Sequence, residues 1–180
     1  PDRPDRGVVE TFGAPATPVY VCGAGHIGRA LVMALAPLPF AVTWIDPRPD
    51  MFPAHVPAGL SPVAADPVSA LDAARAGTLL VVLTHSHPLD LAIVSRALPD
   101  PRFLYVGLIG SATKRARFMS RMREAGLDKA ACARLVCPIG GQRVRDKHPA
   151  VIAAMVTAEL LERRERIDTG ISAGTLRDPC

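Results

Sequence analysis

The sequence predicts a Rossmann-like α/β fold, a doubly wound and mainly parallel sheet with helices on both faces. Two observations support this prediction. The apolar run at residues 18–22 leads into the pattern G-x-G-x-x-G at Gly23, Gly25 and Gly28, and a helix-like segment follows it. Further along, apolar runs alternate with helical segments as far as Cys137, which is the order typical of parallel strands joined by helices.

The first half of the chain shows this alternation clearly. Residues 18–22 and 40–45 are apolar and rich in β-branched side chains, as buried strands are. The helix between them, at 26–36, ends before Pro37 because proline lacks the N–H that a helix requires. Residues 47–62 hold five prolines and predict an irregular loop. The next elements are a short strand and a helix, expected at 63–65 and 69–75.

The second half continues in the same way. Residues 78–84 are apolar between two threonines, which predicts a strand buried on both faces. Gly126 ends one of the later helices, and Pro149 is tolerated in the first turn of the last one. The remaining strands are expected at 102–106 and 134–137. The helices are expected at 87–98, 111–125, 128–133 and 149–166.

Length and composition predict one soluble domain. The 180 residues suit a domain at 18–166, with a linker or flexible arm at 1–17 and a disordered tail at 167–180. We find no run of membrane-spanning length and no signal-peptide core, so we expect no membrane partner. The four cysteines lack metal-pair spacing and indicate a reducing, cytoplasmic setting. The net charge of +4 forms no single basic patch, so we expect no nucleic-acid partner.

The glycine pattern predicts a phosphate-binding turn. Gly23 would form the tight turn, Gly25 would let the backbone approach a pyrophosphate, and Gly28 would let the helix pack closely on the strand. The free N–H groups and the positive dipole end of the helix suit an anion. His26 lies at this helix start, where it would hydrogen-bond a ligand as a neutral imidazole or would simply be a solvated loop histidine.

An acid follows the second predicted strand. Asp46 lies eighteen residues after Gly28, where a dinucleotide-binding fold holds a ribose hydroxyl. The alternative is that Asp46 only starts the turn before Pro47. Arg48 could meet a 2′-phosphate, so NAD and NADP are both open.

The loop after the third long apolar run is rich in polar side chains. Thr84, His85 and His87 would contact a ligand by hydrogen bonds. We favour this over a metal site, because two histidines without an evident third ligand do not form one. The simpler interpretation is that Ser86 or Asp90 caps the following helix.

Two further loops lie at the same predicted edge of the sheet. Gly110, Ser111 and Lys114 combine a small-residue turn, a hydroxyl and a cation at a helix start, which predicts a second anion cradle, with a solvated charged face as the alternative. Cys137 precedes a proline in the last loop, and a structural cysteine is favoured there over a catalytic thiol. We therefore assign no catalytic residue and no metal ligand.

Taken in order, these segments resemble the C-terminal Rossmann domain of the xanthine dehydrogenase accessory proteins, the XdhC/CoxI family. The glycine pattern is generic, but the runs T-H-S-H-x-L-D and G-L-I-G-S-x-x-K are far more specific. The sequence departs from the family after Gly140, where Gly141-Gln142 replaces the usual leucine–proline pair, and it does not include the family's N-terminal domain. The matching runs are residues 22–31, 44–48, 84–90, 107–115, 137–140 and 149–153, together with Lys147.

The resemblance implies a function as well as a fold. Members of this family bind molybdenum cofactor (molybdopterin), support its sulfuration by a cysteine desulfurase, protect it, and deliver it to a molybdenum hydroxylase such as xanthine dehydrogenase. The resemblance thus implies a binding and maturation factor rather than an enzyme with its own turnover. One alternative is an NAD(P)-dependent oxidoreductase, which would use His85 or His87 beside the nicotinamide, and another is a nucleotide-sensing regulatory domain. A homodimer is an open alternative to a monomer.

Overall fold

The structure, a computed structural model, describes residues 16–141 and 146–169. It contains a six-stranded sheet in the order β3-β2-β1-β4-β5-β6, and every paired strand is parallel to its neighbour. The predicted Rossmann-like fold is therefore confirmed. The strands are β1 (Thr17–Cys22), β2 (Phe40–Ile45), β3 (Leu60–Val63), β4 (Thr78–Val82), β5 (Phe103–Leu108) and β6 (Leu135–Val136).

Helices cover both faces of this sheet because successive side chains along each strand point to opposite sides. Val19 and Val21 of β1 belong to the apolar cluster that includes the first and last helices, whereas Tyr20 and Cys22 belong to the cluster that includes the others. The α-helices are α1 (His26–Leu35), α2 (Pro67–Ala70), α3 (His87–Ala97), α4 (Ala112–Glu124), α5 (Lys129–Ala133) and α6 (Pro149–Asp168).

The strand order defines where a ligand would bind. The chain leaves β1 for β2 and β3 on one side and returns to β4 on the other side of β1. In open parallel sheets, such a reversal leaves a crevice beyond the carboxyl ends of the two central strands, and ligands bind there. The loops after β1, β2, β4 and β5 therefore form the candidate site.

Several predicted boundaries were wrong. β3 begins at Leu60, inside the predicted loop 47–62, and not at residue 63. Pro62 belongs to it, which is tolerated because β3 is an edge strand paired only with β2. The predicted helix at 69–75 starts earlier, at Pro67, where the Asp66 side chain accepts a hydrogen bond from the Ser69 N–H at 2.9 Å, and it ends in a 3₁₀ turn.

The other corrections concern β5 and the two ends of the domain. β5 continues to Leu108 rather than ending at 106, so that Gly107 lies in the strand. Thr17 belongs to β1 and not to the predicted arm, and α6 continues to Asp168, two residues into the predicted tail. The rest of the arm and of the tail, residues 1–15 and 170–180, lies outside the described residues.

Candidate functional site

Gly23 and Gly28 are required by the fold itself. Gly23 has a positive φ of 121°, and a Cβ placed there would lie 2.6 Å from the carbonyl oxygen of Leu83. A Cβ on Gly28 would lie 2.0 Å from the carbonyl oxygen of Gly23. The indole N–H of Trp44 also donates to that carbonyl, at 3.1 Å. These contacts hold the glycine loop in place between β1 and the start of α1.

Gly25 differs from both neighbouring glycines. Its backbone is extended, with φ −73° and ψ −174°, so that any residue could adopt this conformation. Apart from those of its two chain neighbours, a Cβ built on Gly25 would have no described atom within 4 Å. The fold does not require a glycine here, and the absent side chain leaves open space in front of the helix.

The start of α1 is also open. Its first backbone bond runs from the Arg29 N–H to the carbonyl of Gly25 at 2.9 Å, and no side chain caps the N–H groups of the first turn. His26 is exposed at this start and provides no cap. The other five α-helices of the described chain each begin with a side-chain cap, from Asp66, Ser86, Ser111, Asp128 and His148. Unsatisfied N–H groups at a positive helix end are the physical basis of an anion site.

Asp46 lies directly beside this loop. Its side chain is buried, and its carboxylate accepts a hydrogen bond from the Ala24 N–H at 2.8 Å. Arg48 adds three further bonds, from its backbone N–H and from two atoms of its guanidinium. Burial on its own would raise the pKa of Asp46, but the hydrogen bonds from Arg48 and Ala24 outweigh it and lower that pKa below its ordinary value. The group is therefore a carboxylate at neutral pH.

A buried ion pair joins the loops after β4 and β5. The Lys114 ammonium lies 2.6 Å from the carboxylate of Asp90, which is completely buried, and it also donates to the carbonyl of Ile109 at 2.9 Å. The same carboxylate accepts from the hydroxyl and the backbone N–H of Thr84. Thr84, Asp90 and Lys114 thus form one network that fixes the two loops relative to each other.

The start of α4 is closed by its own side chains. The Ser111 hydroxyl accepts from the Lys114 N–H at 3.2 Å and so caps the helix. The space in front of Gly110 is filled by the Lys114 stem, because a Cβ on Gly110 would lie 2.6 Å from the Lys114 Cδ. Phosphate binding by these three residues stays a prediction, and their observed contacts are internal to the protein.

The comparisons with known proteins agree with the fold. Residues 19–160 match the family model described as the XdhC Rossmann domain. The chain belongs to this family. It is 27% identical over 158 residues to the uncharacterized protein YqeB of Escherichia coli K12, covering 85% of this chain and 28% of that protein. The chain therefore spans only about a quarter of that relative.

Solved structures give the same fold. A crystal structure described as a xanthine dehydrogenase from Bacillus halodurans matches with a TM-score of 0.73 and 20% identity, over 89% of this chain and 46% of that one. A structure of ChuY from E. coli CFT073 matches with a TM-score of 0.50 and 15% identity, over 80% of this chain and 90% of that one. At these identities, the likeness shows the fold alone.

In this XdhC Rossmann domain, the predicted site residues fall into two groups. The glycine loop and Asp46 are in contact through Ala24, and Thr84 and Lys114 meet at Asp90. His85, which directly follows Thr84, and His87, the first residue of α3, are both exposed. Within the described ranges, no group of three or more His, Cys, Asp or Glu side chains is placed to hold a metal ion.

Asp90 is the residue whose role sequence reasoning missed. It does not cap α3, since Ser86 does so through the Leu89 N–H. A signal for its burial was present, because Asp90 falls in register with the apolar residues that form the buried face of its helix. The buried residues of α3 are Asp90, Ile93, Val94 and Ala97.

Cys137 behaves as a structural thiol. Its side chain is buried, and burial raises its pKa, although the positive charges of Lys114 and Arg115 oppose the shift. A raised pKa disfavours the reactive thiolate. No described helix is both long and apolar enough to cross a membrane.

Proposed function

We propose that this domain forms the phosphate-binding part of a maturation factor for molybdenum hydroxylases. In this proposal the factor binds molybdenum cofactor, helps to sulfurate and protect it, and delivers it to xanthine dehydrogenase or a related enzyme. The observation that most supports the proposal is the open start of α1 behind Gly25, in a chain that belongs to the XdhC Rossmann family.

The residues at this position fit the phosphate of molybdopterin. Apart from its two chain neighbours, no described residue comes within 4 Å of a Cβ built on Gly25, so that a ligand can approach the backbone. The N–H groups of the first turn of α1 would hold the phosphate, and the helix dipole would favour its negative charge. The cofactor would supply the redox chemistry of its client enzyme, and this domain would bind and orient the cofactor.

The remaining partners also belong to the proposal. A cysteine desulfurase would supply sulfur, and a molybdenum hydroxylase would accept the finished cofactor, both in the cytoplasm. This chain spans about half of the Bacillus structure that it resembles. We propose that the rest of the cofactor pocket comes from another domain, since ligands commonly bind at domain junctions.

One observation favours a second candidate function, an NAD(P)-dependent oxidoreductase. Asp46 and Arg48 lie at the end of β2, beside the glycine loop, where such enzymes hold the adenosine ribose. In that case, His85 and His87 would be the candidates for proton transfer. Oxidation of added NADPH or NADH by the purified protein, in the presence of small carbonyl compounds, would favour this alternative.

Reconstitution of an apo-hydroxylase tests the proposed function. This domain, wild type or with Gly25→Val, is combined with the other domain that the proposal calls for, with isolated molybdenum cofactor and with the apoenzyme, and cofactor binding is measured alongside hydroxylase activity. We expect wild type to raise the yield of active enzyme, and Gly25→Val to lose this gain while it stays folded. Ala41→Val, at an exposed position early in β2, is the matched control and should behave as wild type. No gain with the wild-type protein would contradict the proposal.

A further inference from the structure

We infer that the Asp46–Arg48 corner of this site selects a nucleotide with a phosphate on its ribose, a 2′-phosphate, over one with a free ribose diol. The inference goes beyond the proposed function and shares with it only the glycine loop as the place where a phosphate-bearing ligand binds. It follows from the number of hydrogen-bond acceptors and donors that the corner presents.

The acceptors of Asp46 are fully used. Its Oδ1 accepts from the backbone N–H of Arg48 at 3.0 Å and from Nε at 2.9 Å. Its Oδ2 accepts from the Ala24 N–H at 2.8 Å and from Nη2 of Arg48 at 3.0 Å. A carboxylate offers about four lone-pair sites. The hydroxyls of a ribose diol, which need an acceptor, therefore find none at Asp46 while Arg48 stays in place.

The donors of Arg48 are only partly used. Its guanidinium commits Nε–H and one Nη2–H to Asp46, and its Nη1 makes no hydrogen bond to the described residues. The side chain is 39% exposed, so these donors face solvent. A planar fork of free N–H groups binds the charged oxygens of a phosphate more strongly than the neutral hydroxyl oxygens of a diol.

The charges at this corner also suit a phosphate. Arg48 neutralises the buried carboxylate of Asp46, so an arriving phosphate does not face an uncompensated negative charge. The negative charge of Asp50 also raises the pKa of Arg48, but the Asp50 carboxylate is exposed and makes no hydrogen bond to Arg48. Arg29 of α1 donates to the Met51 carbonyl at 2.6 Å and so ties the turn after Arg48 to the helix. The Asp46–Arg48 corner therefore offers a ligand hydrogen-bond donors and no free acceptor.

Paired titrations with NADPH and NADH test this inference. Trp44 is the single tryptophan of the chain, it is buried, and it bonds to Gly23, so that its fluorescence reports on the glycine loop. We expect NADPH to bind about tenfold to a hundredfold more tightly than NADH at low salt, from one or two charge-assisted hydrogen bonds. Added salt should reduce the difference between the two affinities, because it screens the charge of the phosphate.

Variants of Arg48 sharpen the test. Arg48→Ala should abolish the preference, by weakening NADPH binding and by releasing the Asp46 carboxylate for the diol of NADH. Arg48→Lys should keep only part of the preference, because an ammonium cannot form the bidentate contact. Arg121→Ala, which removes an exposed arginine from the last turn of α4, is the control and should leave both affinities unchanged.

The outcomes separate the inference from the proposed function. Equal or tighter binding of NADH by the wild-type protein would overturn the inference and leave the phosphate site at Gly25 intact. Failure of both dinucleotides to bind would overturn it as well. A parallel titration with isolated molybdenum cofactor then decides the proposed function, which survives if that ligand binds and fails if it does not.

Discussion

The starts of α1 and α4 lie on the same edge of the sheet but are built in opposite ways. Both follow a strand and a glycine-containing turn, and the sequence predicts an anion cradle at each. At α4, Ser111 caps the helix and the Lys114 stem fills the space before Gly110. At α1, no described side chain caps the helix, and a Cβ on Gly25 would have no described atom within 4 Å beyond those of its chain neighbours. A helix start that satisfies its own N–H groups stabilises the fold, whereas an open one is available to a ligand.

This contrast changes the role expected of Lys114. Its position in the first turn of α4 predicts that it binds phosphate, yet its ammonium pairs with the completely buried carboxylate of Asp90. We therefore expect Lys114 to act chiefly on stability and Gly25 chiefly on binding. Substitutions at the two starts should separate these two effects.

The largest effect is expected from Lys114→Met, which keeps an apolar stem and removes the charge. Asp90 would then be left buried without its cation, and removal of one partner of a buried pair costs about 3–5 kcal/mol. Urea denaturation measures this loss, with Lys129→Met at an exposed position as the control. Unchanged stability combined with weakened phosphate binding would instead show that Lys114 binds phosphate, as its position in the sequence predicts.

A smaller loss is expected from Gly28→Ala. The new Cβ would collide with the carbonyl oxygen of Gly23. The backbone shift that removes such a collision typically destabilises a protein by about 1–3 kcal/mol. Gly25→Ala is the matched control, because its Cβ enters open space, and it should change the free energy of unfolding by less than about 0.5 kcal/mol. Equal losses for the two variants would show that Gly25 also serves the fold.

Ser111→Ala should destabilise the protein by about 1 kcal/mol, the usual cost of losing an N-cap. Because the start of α4 is already closed, this variant should bind NADPH and molybdenum cofactor as tightly as wild type does. Ser120→Ala, on the exposed face of the same helix, should have little effect on stability. Loss of ligand affinity in Ser111→Ala would mean that both helix starts bind anions.

Much of this architecture follows from local sequence patterns. The apolar runs and the glycine pattern predict the parallel sheet, because buried strands and tight turns need those residue types. The pattern predicts β3 too late in the sequence because Pro62 is typical of a loop, although an edge strand tolerates proline. The Asp90–Lys114 pair joins residues 24 positions apart, and a local pattern does not specify which partner a charge finds in space.

The central claim is that α1 starts without a cap in order to bind an anion. Gly25→Asp tests it most directly, since the backbone of residue 25 suits any amino acid and an aspartate there would cap the free N–H groups. We predict that the free energy of unfolding rises by a few tenths of a kcal/mol, while affinity falls more than about tenfold for whichever of NADPH and isolated molybdenum cofactor wild type binds more tightly. A stabilised variant that binds this ligand as well as wild type would contradict the claim.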